Sequence, residues 1–135
     1  MTRGRKRGTR PVWLQPRLVL AVHDLLIVEH GGLPGLRDEG LLESALARPL
    51  NLYAYSKPDL PALAACYAAA IIANHPFIDG NKRTGFAAAA TFLDRNGAEL
   101  GASEADATRM TVALAAGNTT EDAYAAWLRD NAGRR

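Results

Sequence analysis

A chain of 135 residues, 48% of them apolar, has material for one domain that buries about two-thirds of its unfolded surface, so it needs no disulfide to fold. Its single cysteine excludes an internal bridge, no apolar run reaches the roughly 18 residues of a membrane span, and no apolar h-region opens the chain, so a reduced cytoplasmic protein with no membrane role is expected. The formal charge of +2 is uneven: Arg3, Arg5, Lys6, Arg7 and Arg10 crowd the first ten residues without an acid, leaving 11 basic against 14 acidic residues, a net of −3, for the rest.

Residues 1–12 therefore predict a basic flexible arm, a solvated tail or a contact for nucleic acid or an acidic partner, ahead of one helical domain over 13–135. "QPRLVLAVHDLLIVEHGG" predicts a helix with Pro16 in its first turn, an apolar face at Leu18, Val22, Leu25 and Leu26, and a stop at Gly31 and Gly32. "LPGLRDEGLLESALARP" predicts a turn at Pro34 and Gly35, then a short helix from Asp38 to Arg48 closed by Pro49. "PLNLYAYSKP", between two prolines, gathers aromatic residues without helical period and reads as an extended loop or flap. Its Tyr53 and Tyr55 are either a contact surface or caps on the core.

Asp59 and Pro61 open "DLPALAACYAAAIIANH", apolar on most sides and hence the buried centre of a bundle, with Cys66 a small core residue. "NKRTGFAAAATFLDRNG" predicts a helix to Asn96 and Gly97 whose small face packs closely on its predecessor. Ser103 with Asp106, and Thr119 with Asp122, predict the starts of two further helices. No useful strand alternation appears, so the expected fold is all-α, a compact bundle of about six helices.

Between the central helix and the alanine-rich one lies "HPFIDGNKRTGF", residues 75–86. His75, mostly neutral at pH 7, can accept a proton, whereas His23 and His30 read as helix-end or surface residues. Asp79 has two readings, a hard ligand for Mg²⁺ or an N-cap for the next helix. Gly80 and Asn81 let the chain turn its N–H groups toward an anion at the positive end of a helix. Lys82 and Arg83 add cations there that oppose the helix dipole at about 0.3–1 kcal/mol apiece unless an anion neutralises them. Polyphosphate fits this set: positioning, charge stabilisation and a base for phosphoryl or nucleotidyl transfer, with no nucleophile of its own.

The loop resembles the signature of the Fic/Doc superfamily, His-Pro-Phe-x-Asp/Glu-Gly-Asn-Gly-Arg-x-x-Arg, which binds a magnesium nucleotide and modifies a hydroxyl of another protein. "HDLLIVEHGGLPGLRDEGLLESALARP" and "TFLDRNGAEL" are similar to the short death-on-curing (Doc) toxins of toxin–antitoxin systems, so the resemblance runs from Trp13 to near the end and implies a Fic/Doc-like fold. Lys82 stands where AMP-transferring members have a second glycine and Phe86 where they have a second arginine, both as in Doc, while Pro76 and Gly80 keep the Fic spelling.

The resemblance implies ATP and Mg²⁺ as cofactors and transfer of the γ-phosphate to a Thr or Ser hydroxyl, with elongation factor Tu as the target and translation arrested. It makes His75 the base, Asp79 the metal-linked carboxylate, Gly80 a backbone donor, Asn81, Lys82 and Arg83 the phosphate holders, Phe77 an apolar plug, and Tyr53 and Tyr55 part of a target flap. It implies as partner a Phd-like antitoxin whose C-terminal amphipathic helix lies in an apolar groove. AMP transfer on the same fold is the alternative; a non-catalytic module binding an anion or nucleic acid is another.

Overall fold

The computed structural model describes residues 10–134, so most of the predicted basic arm, residues 1–9, lies outside the described residues. Pro11 is buried, and Val12 exchanges both of its backbone hydrogen bonds with the Asn96 side chain, at 2.8 and 3.0 Å. Six helices follow: α1 (Pro16–His30), α2 (Glu39–Ser56), α3 (Leu60–Asn74), α4 (Asn81–Arg95), α5 (Glu104–Ala116) and α6 (Glu121–Asn131). The expected helical bundle is the fold. It carries one addition that alternation could not reveal, because its strands are three residues long: β1 (Ala98–Leu100) pairs antiparallel with β2 (Ala132–Arg134) and clasps the two ends of the C-terminal half.

α3 is the centre, with α2, α4, α5 and α6 packed around it. Asp59 caps its start by accepting the Ala62 N–H at 3.1 Å. Leu63 through Ala68 are fully buried, including Cys66, whose thiol burial pushes up to about 12, consistent with an inert core residue. The α3–α4 contact is close because its residues are small. A Cβ on Gly85 would stand 2.9 Å from Ile72 Cγ1 and 3.1 Å from the Ala68 carbonyl, so no larger residue fits without displacing α3.

Three local expectations are corrected. α2 does not close at Pro49 but runs on to Ser56, so "PLNLYAYS" is helical rather than an extended flap. Pro49 lacks an N–H to donate, yet its ring is buried with Leu42, Ala45 and Leu46 on the face toward α3, and that burial offsets the missing bond. On α1 Leu18 packs against the core and Val22 and Leu26 are half-buried as expected, but the fully buried residues are Val19 and His23, which were not on the expected face, and Leu25 is 68% exposed. α6 is capped by Thr120, which accepts the Ala123 N–H at 3.0 Å, not by Thr119. The α5 cap is as expected, with Ser103 accepting the Asp106 N–H at 3.1 Å. The Asp106 carboxylate does not complete a capping box; it accepts from Trp127 Nε1 and Arg109 and ties α5 to α6.

Asp59 also binds Arg129 of α6 through both carboxylate oxygens, at 2.8 and 2.9 Å. The Arg129 guanidinium, with help from the Ala62 N–H, holds this carboxyl below its ordinary value of 3.8 against the opposing effect of burial. Its contribution to stability is therefore fully present above that ordinary value and is lost as pH falls through the lower folded value. We expect the Tm difference between the native chain and Asp59→Asn to be constant from pH 7 to 5 and to shrink below about pH 4. Thermal denaturation at stepped pH measures it, and a difference that grows on acidification would contradict the assignment.

Candidate functional site

α3 must stop where Pro76 denies it a further N–H, and His75 closes it as a C-cap in the left-handed region (φ 54°, ψ 53°), its own N–H donated to the Ile71 carbonyl at 3.0 Å. The chain then dips once into the core. Phe77 is completely buried and lies face to face with the His23 ring, centroids 3.8 Å apart and planes within 8°. Gly80, at φ 79°, turns the chain into α4. The predicted plug is thus in place.

The loop is laced to the segment between α1 and α2. Phe77 bridges Leu36, and the Ile78 N–H donates to the Gly35 carbonyl at 3.1 Å. The N–H groups of Arg37 and Asp38 both donate to the Pro76 carbonyl, at 2.7 and 3.0 Å. The Arg37 side chain donates to the carbonyls of His75 (2.8 Å) and Asn74 (3.1 Å). The segment beside the loop is therefore 33–38, not 49–58. Tyr55, 90% exposed, lies about 20 Å along α2 from Leu41. Tyr53 packs edge-on against Trp13 at 5.6 Å under the Lys57 ammonium, which makes it a cap on the core. Neither tyrosine is brought to the loop.

His75, Asp79, Lys82 and Arg83 are exposed around the start of α4. Among the described residues neither Lys82 nor Arg83 is in an ion pair, so the dipole conflict foreseen for them is real. Asp79 is not the N-cap: that position is Gly80, and no side chain caps α4. The Asp79 carboxylate instead accepts the Leu33 N–H (3.1 Å) and the Gly80 N–H (3.0 Å). Gly80 thus spends its amide inside the loop, and the open donors are the first-turn N–H groups of residues 81–83.

Asn81 differs most from its expected role. Its Oδ1 accepts the Phe77 N–H at 3.0 Å, while Nδ2 donates to the Phe77 carbonyl (2.9 Å) and to His75 Nδ1 (3.0 Å). The side chain is 5% exposed and fully engaged in shaping the loop, leaving its backbone N–H for an anion. Because the Phe77 peptide fixes which way the amide faces, His75 Nδ1 is an acceptor, and the neutral ring carries its proton on Nε2.

His23 was read from the sequence as a surface histidine and is the reverse, 1% exposed. Its Nε2–H donates to the Asp79 carbonyl at 2.8 Å, so one side chain of α1 supports both the plug and the carboxylate's backbone. A signal existed: His23 is one helical turn beyond Val19, on the stripe that faces the bundle. Phe86, in place of an arginine, turns to Trp127 of α6, with ring centroids 6.4 Å apart.

The set is suited to one magnesium nucleotide. A carboxylate has about four lone-pair sites, and two remain open on Asp79. Mg²⁺ commonly takes one or two carboxylates and completes its shell with water and phosphate oxygens, so a dedicated cluster is unnecessary, and none exists among the described residues. Bare backbone is needed beside this carboxylate, since a Cβ on Gly32 would come within 2.9 Å of Asp79 Oδ2. Two unpaired cations and three open amides lie together at the helix terminus, a set that could hold phosphate.

Comparison with known proteins identifies the family. The sequence profile of the Fic/DOC family matches residues 13–93. The chain is 36% identical over 117 residues to a protein named protein kinase doc from Escherichia phage P1, an alignment covering 86% of this chain and 92% of that one. It is 44% identical over 78 residues to a protein named toxin Doc from Mycolicibacterium smegmatis, covering 56% of this chain and 59% of that one.

Proposed function

Because the chain belongs to the Fic/DOC family, we propose that it is a toxin that transfers the γ-phosphate of ATP to a Thr or Ser hydroxyl of a target protein, with elongation factor Tu the first candidate, and so inhibits translation. The observation that carries the proposal is the exposed, unpaired Lys82 in the first turn of α4. A cation there opposes the helix dipole and is favoured only opposite an anion, and its bulk and charge occupy space that AMP-transferring relatives leave to backbone.

Asp79 would hold the Mg²⁺, which supplies charge neutralisation on the phosphates. Lys82, Arg83 and the N–H groups of residues 81–83 bind and orient the phosphate oxygens and stabilise charge as it spreads over the transferring group. The target's hydroxyl oxygen bonds to the γ-phosphorus, the bond from that phosphorus to the bridging oxygen breaks, and ADP leaves. The hydroxyl proton passes to the His75 imidazole. Nε2 already carries the ring's own proton, so Nδ1 takes the incoming one, and the hydrogen bond from Asn81 to Nδ1 is given up as it does so. Asn81 keeps its hold on the Phe77 peptide throughout, so the loop does not collapse when the ring is released.

A helix of the antitoxin would cover the outer face of α1, where Leu25 and Val28, one turn apart, are exposed. No helix among the described residues is long and apolar enough to cross a membrane. AMP transfer is the second reading, favoured by Pro76 and Gly80 as in Fic proteins.

ATP labelled in turn on the α- and γ-phosphate, supplied with Mg²⁺ and elongation factor Tu or cell extract, separates the readings. We expect γ-label on a protein acceptor and a fall of about 10²-fold in that transfer for Lys82→Gly. Label from the α-phosphate would replace the kinase by an AMP transferase, and no label would leave an anion-binding module.

A further inference from the structure

His75 occupies a backbone conformation that costs a non-glycine residue about 1–2 kcal/mol and persists only where its surroundings over-determine it. Residue 37 supplies much of that determination. Three successive carbonyls, those of Asn74, His75 and Pro76, converge on it: the first two receive the guanidinium and the third the backbone N–H. Arg37 is exposed and has no carboxylate partner among the described residues, so its charge is spent on the last carbonyls of α3. The guanidinium fork fits this task, because two donors in a rigid plane fix the angle between consecutive peptide groups, which a lysine's single point of charge does not.

We infer that Arg37 is a positioning residue for phosphoryl transfer: by holding the carbonyls on either side of the His75 Cα, it aims the imidazole at the acceptor oxygen. The ring is held at its other end by Asn81, so backbone and ring are fixed from opposite sides, and releasing one leaves the ring free to swing. The inference rests on His75 being the base. Nothing in the sequence around "GLRDEG" signals it, because the contact spans 38 residues.

The test uses the full chain with Arg37→Ala and Arg37→Lys. With γ-labelled ATP and a protein acceptor, Arg37→Ala is expected to lower kcat about 30- to 100-fold and leave KM for ATP within about twofold, since a small misplacement of a reacting group is costly while the phosphate-holding turn of α4 is untouched. Arg37→Lys should recover part of the loss. Long-range ¹H–¹⁵N spectra of the three histidines, recorded without nucleotide, read the ring directly. The native His75 should be the Nε2–H tautomer, and Arg37→Ala should convert it to a tautomer mixture. A lower Tm with unchanged turnover and spectrum would reduce Arg37 to a helix cap. A raised KM with unchanged kcat would make it a nucleotide contact. If Arg37→Ala unfolds at assay temperature, Arg37→Lys carries the same comparison. Should the native protein transfer no γ-phosphate, the kinase reading fails by itself, and the His75 spectrum alone decides whether Arg37 sets the ring.

Discussion

His75→Ala is expected to lower γ-phosphate transfer about 10²- to 10⁴-fold, the usual contribution of a positioned acid–base group, with no comparable loss of stability. The side chain is exposed and makes one hydrogen bond, to Asn81, so its removal opens no cavity in the core. Alanine at φ 54° tolerates the left-handed region no worse than histidine by much more than a few tenths of a kcal/mol, and the Arg37 contacts act on the backbone, which remains. Nucleotide binding should survive, because the amides and cations of α4 do not depend on the ring. Labelled transfer, nucleotide titration and a melting curve on one preparation check all three points. Transfer retained within about tenfold would show that the target's hydroxyl loses its proton elsewhere.

Phe77→Ala should have the largest effect on stability, about 3–5 kcal/mol in urea unfolding. That is a large share of the 5–15 kcal/mol available to an ordinary domain. The ring is fully buried, faces His23 at 3.8 Å and anchors the only inward excursion of the loop, so its loss leaves a cavity that Leu36 and the His23 ring cannot close without moving the backbone of 77–79. The Asn81 amide, which binds both polar groups of the Phe77 peptide, would loosen with it. Phe77→Leu keeps most of the volume and should lose roughly half as much or less. A Phe77→Ala protein less than about 1 kcal/mol below the native chain would mean that the plug is dispensable and that hydrogen bonds to 33–38 hold the loop.

The helices were legible wherever their ends are set by neighbours in the chain. Asp59 and Ser103 cap with their own side chains three residues ahead, Gly31 and Gly117 end helices through backbone freedom, and Pro76 stops α3 whatever surrounds it. The apolar, small-residue character of 60–74 likewise forecasts a central helix, since nothing on it could face water. The charged set of the loop was visible for the same reason: His75, Asp79, Lys82 and Arg83 lie within nine residues, and a helix start brings them together without help from the rest of the molecule.

Other features depend on groups far apart in sequence. Pro49 reads locally as a stop, but burial of its face against α3 carries α2 two turns further, and that energy exists only once the bundle is assembled. The partners of the loop are 56 residues away for His23 and 38 for Arg37, so no spacing rule could find them. Asn81 could be placed at a helix start from sequence, but not its choice of the Phe77 peptide over an anion, which follows from the depth of the plug. The sequence by itself determined that an imidazole, a carboxylate and two cations meet at a helix terminus, because local backbone geometry alone puts them there. Only the tertiary structure decided which of the accompanying groups stay open to a ligand, because each buried donor and acceptor takes the partner that packing delivers to it.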